Sequence, residues 1–280
     1  MLFSDAKDEA LQIHEKALNK YNVTVAAVQE KGEALYLLRQ QSIRKIEDIE
    51  ALINCISKTP REMNKSLAHV KTKRQKFLKT EEYAIKAYEA TIKAGVGAAV
   101  GVAGGVAAAG VTPAAAMWVA TTFGKASTGK AISELSGVAR KNAAHAFLGR
   151  GVLAAGGKGV KGGEELLKKA APIGLGIAAL ALLGSGVVIG GKNKIVANKA
   201  IKEAEKILTT EAKLSEAGQI IVHIQNETDL LLERIDKQFA DAELLKGKKY
   251  SKMTSYEQLL LGTLVNNTQA LAELLNKTVE

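Results

Sequence analysis

The sequence predicts an all-α protein: an elongated antiparallel helical bundle whose coiled-coil arms surround a central Gly/Ala-rich hydrophobic helical hairpin. The 280 residues include only three prolines, one tryptophan, six tyrosines and five phenylalanines, which disfavours sheet-rich sandwiches and barrels. Apolar residues in both outer parts recur at the three- and four-residue intervals of an amphipathic helix. Of the 26 glycines, 22 lie between Ala94 and Gly191. The sequence therefore divides into an N-terminal arm (1–93), a Gly/Ala-rich middle (94–191) and a C-terminal arm (192–280).

The N-terminal arm is predicted to form two helices. Ten of fourteen positions at this spacing between Leu11 and Ile56 are apolar, which indicates one long amphipathic helix. Asp5 is its expected N-cap, and Pro60 is expected to end it because proline lacks an amide donor and disfavours helix at the preceding residue. The apolar face of the second predicted helix consists of Met63, Leu67, Val70, Phe77, Ala84 and Tyr88.

The C-terminal arm repeats this pattern. Eight of ten positions at the helical spacing between Leu214 and Leu245 are apolar, within a predicted helix over 194–246. Gly247 breaks the pattern, and a last helix is predicted over 255–277. Its apolar residues are Leu259, Leu260, Leu264, Leu271, Leu274 and Leu275. The two long helices have matched lengths, which favours an antiparallel arrangement.

Two stretches of the middle lack any ionisable side chain. They comprise 31 residues at 94–124 and 22 residues at 170–191. Both exceed the ~20 residues that a helix needs to cross a bilayer core of ~30 Å. The first is mostly Ala and Gly, so it favours conditional insertion over permanent residence, and Pro113 is expected to kink or divide it. Between the two stretches, 125–169 is a basic connector with 9 Lys/Arg and 3 Glu.

Residues for membrane insertion and helix packing are predicted within these stretches. Glycines recur every four residues, a spacing that places small residues on one helix face and allows a second helix to approach closely. Aromatic residues near the end of the first stretch are expected at the headgroup level. The predicted residues are Gly97, Gly101, Gly105, Trp118, Phe123, Leu180, Leu183, Gly186 and Gly190.

Positive charge indicates contact with anionic lipid. The formal net charge is +10 at pH 7, and the densest basic run lies at 58–79. The predicted lipid contacts are Lys71, Lys73, Arg74 and Lys76. A solvated helix face is the alternative. Nucleic-acid binding is a third option, but Phe77 is the single aromatic residue among these charges, so a base-stacking surface is poorly supported and no nucleic acid is expected.

No catalytic, metal or cofactor site is predicted. The four histidines (His14, His69, His145 and His223) have no metal-ligand spacing. The glycine motifs follow no convincing strand, so neither a nucleotide nor another small-molecule substrate is expected. The single Cys55 is expected to be a small buried apolar residue. The N-terminus lacks the order of a secretory signal, so synthesis in the cytoplasm is expected, with membrane association or conditional insertion afterwards.

Residues 126–139 (ASTGKAISELSGVA), the Ala/Gly-rich 143–163 and Pro172 before an apolar run resemble a glycine-rich hairpin module of poorly characterised bacterial proteins. This resemblance covers about residues 120–200 and implies no chemistry. In architecture alone, long helices around an apolar hairpin are similar to α-helical pore-forming toxins of the cytolysin A type and to apolipoprotein L. That similarity implies a bundle that sequesters a hairpin and later exposes it to lipid, often as an oligomer.

The expected function is therefore physical and not enzymatic. The chain is predicted to shield a hydrophobic hairpin, to insert it into a bilayer and to self-associate there, forming a pore or perturbing the membrane. The expected partners are anionic lipids and further copies of the chain. The alternative is a soluble coiled-coil interaction or scaffold protein that packs its glycine-rich region internally.

Overall fold

The structure is a computed structural model that describes residues 2–93, 113–126, 128, 130–148 and 193–278. It confirms the all-α fold. The helices are α1 (Leu2–Asn54), α2 (Arg61–Lys93), α3 (Pro113–Phe123), α4 (Gly137–Leu148), α5 (Asn193–Glu243) and α6 (Ser255–Leu274). Two 3₁₀ turns lie at Ile132–Glu134 and Tyr250–Lys252, and the described residues contain isolated bridges but no strand.

The chain forms two compact units. Unit 1 comprises Met1–Glu33 and Ala84–Gln219, and unit 2 comprises Ala34–Tyr83 and Ile220–Glu280. Helices α1, α2 and α5 therefore contribute residues to both units, whereas α3 and α4 belong to unit 1 and α6 to unit 2. Each unit has its own buried core.

The apolar spacing predicts most of these cores. In α1, buried residues at the predicted positions include Val28, Leu35, Ile46, Ile49 and Ile53, and in α5 they include Ile221, Ile224, Ile235 and Ala242. The last helix departs from its predicted pattern, because Leu259 is 69% exposed while Leu261 and Val265 are buried. The buried face of α6 is therefore rotated about the helix axis from the predicted face. Apolar residues at every third or fourth position indicate only approximately which face of a helix is buried.

In unit 1, α1 and α5 pack through small side chains. Ala10 lies with Ala197 and Ala200 in one apolar cluster, and a second cluster follows along the same two helices. A Cβ added at Gly218 would lie 2.9 Å from a methyl carbon of Val28. Small residues thus allow the two backbones to approach closely here, as they do in tightly packed helix pairs.

The two long helices run parallel, so the antiparallel expectation is wrong for this pair. The residue numbers of their partners rise together: His14 faces Glu203 at 3.4 Å and Thr24 bonds Glu211 at 2.8 Å in unit 1, while Lys45 pairs with Asp236 in unit 2. The successive pairs α1–α2 and α5–α6 are antiparallel. The reason is that α2 already returns the chain from unit 2 to unit 1, so α5 starts in the same unit as α1.

Three local expectations also need correction. Asp5 lies inside α1 and is not its N-cap, because the helix includes Leu2. The same helix ends at Asn54, so it stops before the residue that precedes Pro60. Cys55 follows immediately and is exposed. The turn after Asn54 directs this thiol outward, while the adjacent Ile56 is buried.

Candidate functional site

Helix α3 lies in the described part of the first uncharged stretch. Residues Met117 to Gly124 are all buried, and no side chain among them carries a charge. A helix at a protein surface would expose one face in each turn, so continuous burial requires cover all round. The eight residues from Met117 to Gly124 are therefore sheltered from solvent.

The cover comes in part from α1. A Cβ added at Gly32 would lie 2.7 Å and 2.9 Å from the two methyl carbons of Val119, closer than such atoms pack. Glycine at position 32 thus leaves room for Val119 directly against the α1 backbone. The sequence held a signal for this contact, since Gly32 is the single glycine of the N-terminal arm and occupies an apolar-stripe position.

Further cover comes from the chain that follows α3. The amide of Gly124 donates to the Ala120 carbonyl (3.1 Å), and the Gly124 carbonyl accepts from the Ile132 amide (2.9 Å). This tight reversal brings the 3₁₀ turn and α4 against α3. A side chain at Gly124 would meet the Ala120 carbonyl oxygen at 2.3 Å, so the reversal requires glycine. The start of the predicted basic connector is thus an ordered reversal followed by a helix.

The aromatic side chains of α3 lie in this interior. Trp118 is 1% exposed and packs edge-to-face against Phe123, with ring centroids 5.5 Å apart. The structure thus places both residues, which were predicted at a headgroup boundary, within unit 1. Buried Thr121 bonds the carbonyls of Met117 (2.9 Å) and Trp118 (3.0 Å), so its hydroxyl is satisfied within its own helix. On α4, His145 is buried as well.

The four predicted lipid contacts of α2 separate into two groups. Lys73 pairs with Glu273 of α6 (2.7 Å), and Arg74 bridges Glu47 and Glu50 of α1 at 3.2 and 3.1 Å. The hydrogen bond from Lys73, followed by that from His69, holds the pKa of Glu273 below its usual value. Lys71 and Lys76 are exposed. Helix-to-helix ion pairs therefore hold two of these cations, and two face the solvent.

The other predicted insertion residues cannot be placed. Gly97, Gly101, Gly105, Leu180, Leu183, Gly186 and Gly190 lie outside the described residues. Within the described ranges, no helix combines the length and apolar character needed to cross a membrane. The same ranges contain no group of three or more His, Cys, Asp and Glu side chains suited to a metal ion.

Comparisons with known protein families, with curated proteins and with solved structures find no match to this chain. The resemblance of residues 120–200 to bacterial glycine-rich hairpin proteins therefore stays a prediction, as does the architectural similarity to pore-forming toxins.

Proposed function

We propose that the chain is a membrane-inserting protein that shelters an apolar segment and releases it into a bilayer, where copies associate and perturb or perforate the membrane. The supporting observation is the complete burial of Met117 to Gly124, the end of a 31-residue stretch without a charge. Such a stretch favours either a protein interior or the hydrocarbon layer over water. Burial in unit 1 is the sheltered state that this mechanism requires.

The hydrogen bonding of α3 suits a transfer of this kind. The Thr121 hydroxyl bonds carbonyls of its own helix, so the bond stays with the helix when it leaves unit 1. A polar group moved into lipid without a partner would cost several kcal/mol, roughly 2–7 depending on the reference. The Trp118–Phe123 contact is also internal to this helix. The contact of Val119 with α1 is apolar, and acyl chains can replace a contact of that kind.

A scaffold protein with a permanently buried α3 is the second candidate. The tight contacts of Gly32 with Val119 and of Gly124 with Ile132 favour it, because they fix α3 in one position. The two proposals differ in one respect: the scaffold keeps α3 in place when lipid is present, whereas the inserting protein exchanges these contacts for lipid.

Trp118 makes this difference measurable, since it is the single tryptophan of the chain. The purified full chain is mixed with dye-loaded vesicles that contain either ordinary or bromine-labelled acyl chains. Insertion predicts dye release together with quenching of Trp118 fluorescence by the bromine atoms. A chain that leaves the dye inside and shows no quenching, at every pH and lipid mixture tried, supports the scaffold and contradicts insertion.

Self-association through the glycine repeats is tested separately. Gly101→Leu and Gly186→Leu enlarge one residue in each predicted repeat. We expect both variants to retain the helical content of the arms and to lose dye release, because the larger side chain keeps neighbouring helices apart. Unchanged dye release in both variants would count against glycine-mediated packing while leaving insertion itself intact.

A further inference from the structure

Two loops of unit 2 lie side by side and form one continuous surface. The amide of Ser57, between α1 and α2, donates to the Lys248 carbonyl (3.3 Å), and the Tyr250 amide donates to the Ser57 carbonyl (2.9 Å). The following residues are tied to α6, since Gln258 donates to the carbonyls of Tyr250 and Met253. We call residues 55–65 and 244–259 the paired-loop surface.

This surface is strongly basic. It contains seven Lys and Arg residues against Glu62 and Glu257. The basic side chains, all exposed, are Lys58, Arg61, Lys65, Lys246, Lys248, Lys249 and Lys252. Both acids are paired within the surface, Glu62 with Lys65 (2.9 Å) and Glu257 with Lys248 (2.7 Å). Five cations therefore remain in excess, and the acids that directly precede this boundary in the sequence are Asp241 and Glu243 on α5.

Large apolar side chains project into solvent at the same surface. Leu244 is 80% exposed, Tyr256 70% and Leu259 69%, and these are among the most exposed large hydrophobic residues of the described chain. Cations interspersed with exposed leucine and tyrosine are the combination that binds a lipid interface, where the charges meet headgroups and the apolar groups enter the acyl boundary.

We infer that the paired-loop surface docks the protein on membranes that contain anionic lipids. Charge complementarity selects an anionic partner, and the exposed leucines select a lipid over a nucleic acid, because aliphatic side chains enter the acyl boundary but do not stack on bases. The inference rests on the proposed function in taking a membrane as the partner. Docking itself needs no release of α3, so the two can fail separately.

The test measures flotation of the full chain with vesicles of equal parts phosphatidylcholine and phosphatidylserine. Each cation near an anionic surface strengthens binding about fivefold. We therefore expect the triple variant Lys246→Gln, Lys249→Gln, Lys252→Gln to bind at least about tenfold more weakly. The matched control removes the same charge from exposed positions of α5, with Lys199→Gln, Lys202→Gln and Lys213→Gln, and should bind much like the wild type.

A second pair of variants tests the apolar contribution. Leu244→Ser with Leu259→Ser should weaken flotation severalfold, because the two side chains no longer enter the acyl boundary. Leu37→Ser with Leu230→Ser is the matched control, since these leucines are 57% and 64% exposed on other helices of unit 2. All the substituted side chains face solvent, and an unchanged melting temperature verifies that each variant is folded.

Cys55 provides a direct report of docking, because it is the single cysteine and is exposed within this surface. An environment-sensitive fluorophore on Cys55 should brighten with anionic vesicles and not with pure phosphatidylcholine. A bright fluorophore without Trp118 quenching supports docking and contradicts insertion. Docking is overturned if wild-type protein ignores anionic vesicles, if it is retained on DNA instead, or if the loop variants bind as tightly as their controls.

Discussion

Arg39 is a charged residue in the core of unit 2. It occupies an apolar-stripe position of α1, is 1% exposed, and its Nη2 donates to the Lys277 carbonyl at 2.6 Å. Burial lowers the pKa of Arg39 to about 9, so the side chain is still charged at pH 7. The spacing identified this position as buried, but it did not reveal that a guanidinium there would hold the segment after α6.

Substitution of Arg39 separates its bulk from its charge. Arg39→Ala should lower the free energy of unfolding by about 3 kcal/mol, since it leaves a cavity and removes the donor to Lys277. Arg39→Met fills most of the volume without a buried charge, so we expect a change of at most about 1 kcal/mol. Urea unfolding measures both, with Arg44→Ala at an exposed position as control. Equal losses for Met and Ala would show that the charge itself stabilises the fold.

Glu211 links α5 to α1 in unit 1. We expect this link to make the stability of the fold sensitive to acid. Its carboxylate accepts bonds from Lys20 (2.9 Å) and Thr24 (2.8 Å) and is 5% exposed. The Lys20 bond lowers the pKa of Glu211 below its usual 4.5; burial opposes this shift and the Thr24 bond adds to it. A carboxylate with a depressed folded-state pKa stabilises the fold above the unfolded-state value and loses this contribution as pH falls through the folded-state value.

The melting temperature of Glu211→Gln should therefore lie below that of the wild type at pH 7. The difference should shrink once the pH falls under 4.5, where the wild-type carboxyl becomes protonated. Glu216→Gln, at an exposed position of the same helix, serves as the control. A constant difference between the two chains from pH 7 to pH 3 would contradict this assignment.

Among the elements, α3 packs tightly against α1 at Gly32. Gly32→Ala should destabilise unit 1 by about 1–3 kcal/mol, because the new methyl group meets both methyl carbons of Val119. Val119→Ala in the same chain removes those carbons and should restore part of the loss. Gly262→Ala in α6 is the control: nothing lies within 4 Å of its added Cβ, and alanine favours helix, so no loss is expected.

Gly32→Ala also bears on the membrane proposal. A weakened contact with α1 lowers the cost of releasing α3, so dye release should begin at a lower protein concentration than for the wild type or Gly262→Ala. If Gly32→Ala is destabilised but its dye release is unchanged, the release of α3 does not limit membrane activity.

The start of α6 is specified by a capping box. The Glu257 amide donates to the Thr254 hydroxyl (3.3 Å), and the Thr254 amide donates to the Glu257 carboxylate (2.8 Å). Thr254→Ala should cost about 1 kcal/mol in urea unfolding, and Thr254→Ser should cost far less because serine keeps the accepting oxygen. Similar losses for both variants would mean that another contact of Thr254 matters more.

At the scale of elements, the sequence predicted where the helices lie better than it predicted which elements pack against each other. Three- and four-residue spacing identified α1, α2, α5 and α6, because burial along a helix repeats with its turn. It could not identify the cover over α3. That cover depends on Gly32, distant in sequence, and on a reversal at Gly124 whose hydrogen bonds leave no periodic pattern.

For the whole molecule, each unit has its own core, so we expect a substitution in one unit to speed hydrogen exchange in that unit alone. Gly32→Ala lies in unit 1 and should speed amide hydrogen exchange in α3 and α4, while exchange in α6 of unit 2 stays unchanged. Arg39→Ala should produce the reverse pattern. Equal acceleration in α3 and α6 by both variants would show that the units unfold together.

The spacing of apolar residues does not determine whether the two long helices run parallel or antiparallel. Matched apolar stripes indicate that α1 and α5 can pair, yet the same stripes suit either direction. The contacts His14–Glu203 and Lys45–Asp236 show a parallel pair. Chain connectivity decides this, because α2 lies between them and reverses the path. The candidate membrane residues between 94–112 and 149–192 remain predictions from sequence.

One feature of the loop after α1 limits how the protein can be cross-linked. With one thiol in each polypeptide, exposed to solvent, air oxidation can join two molecules and then stops, since neither has a further thiol to react. Covalent species larger than a pair on a non-reducing gel would consequently need another chemistry, and any higher assembly must be held by non-covalent forces.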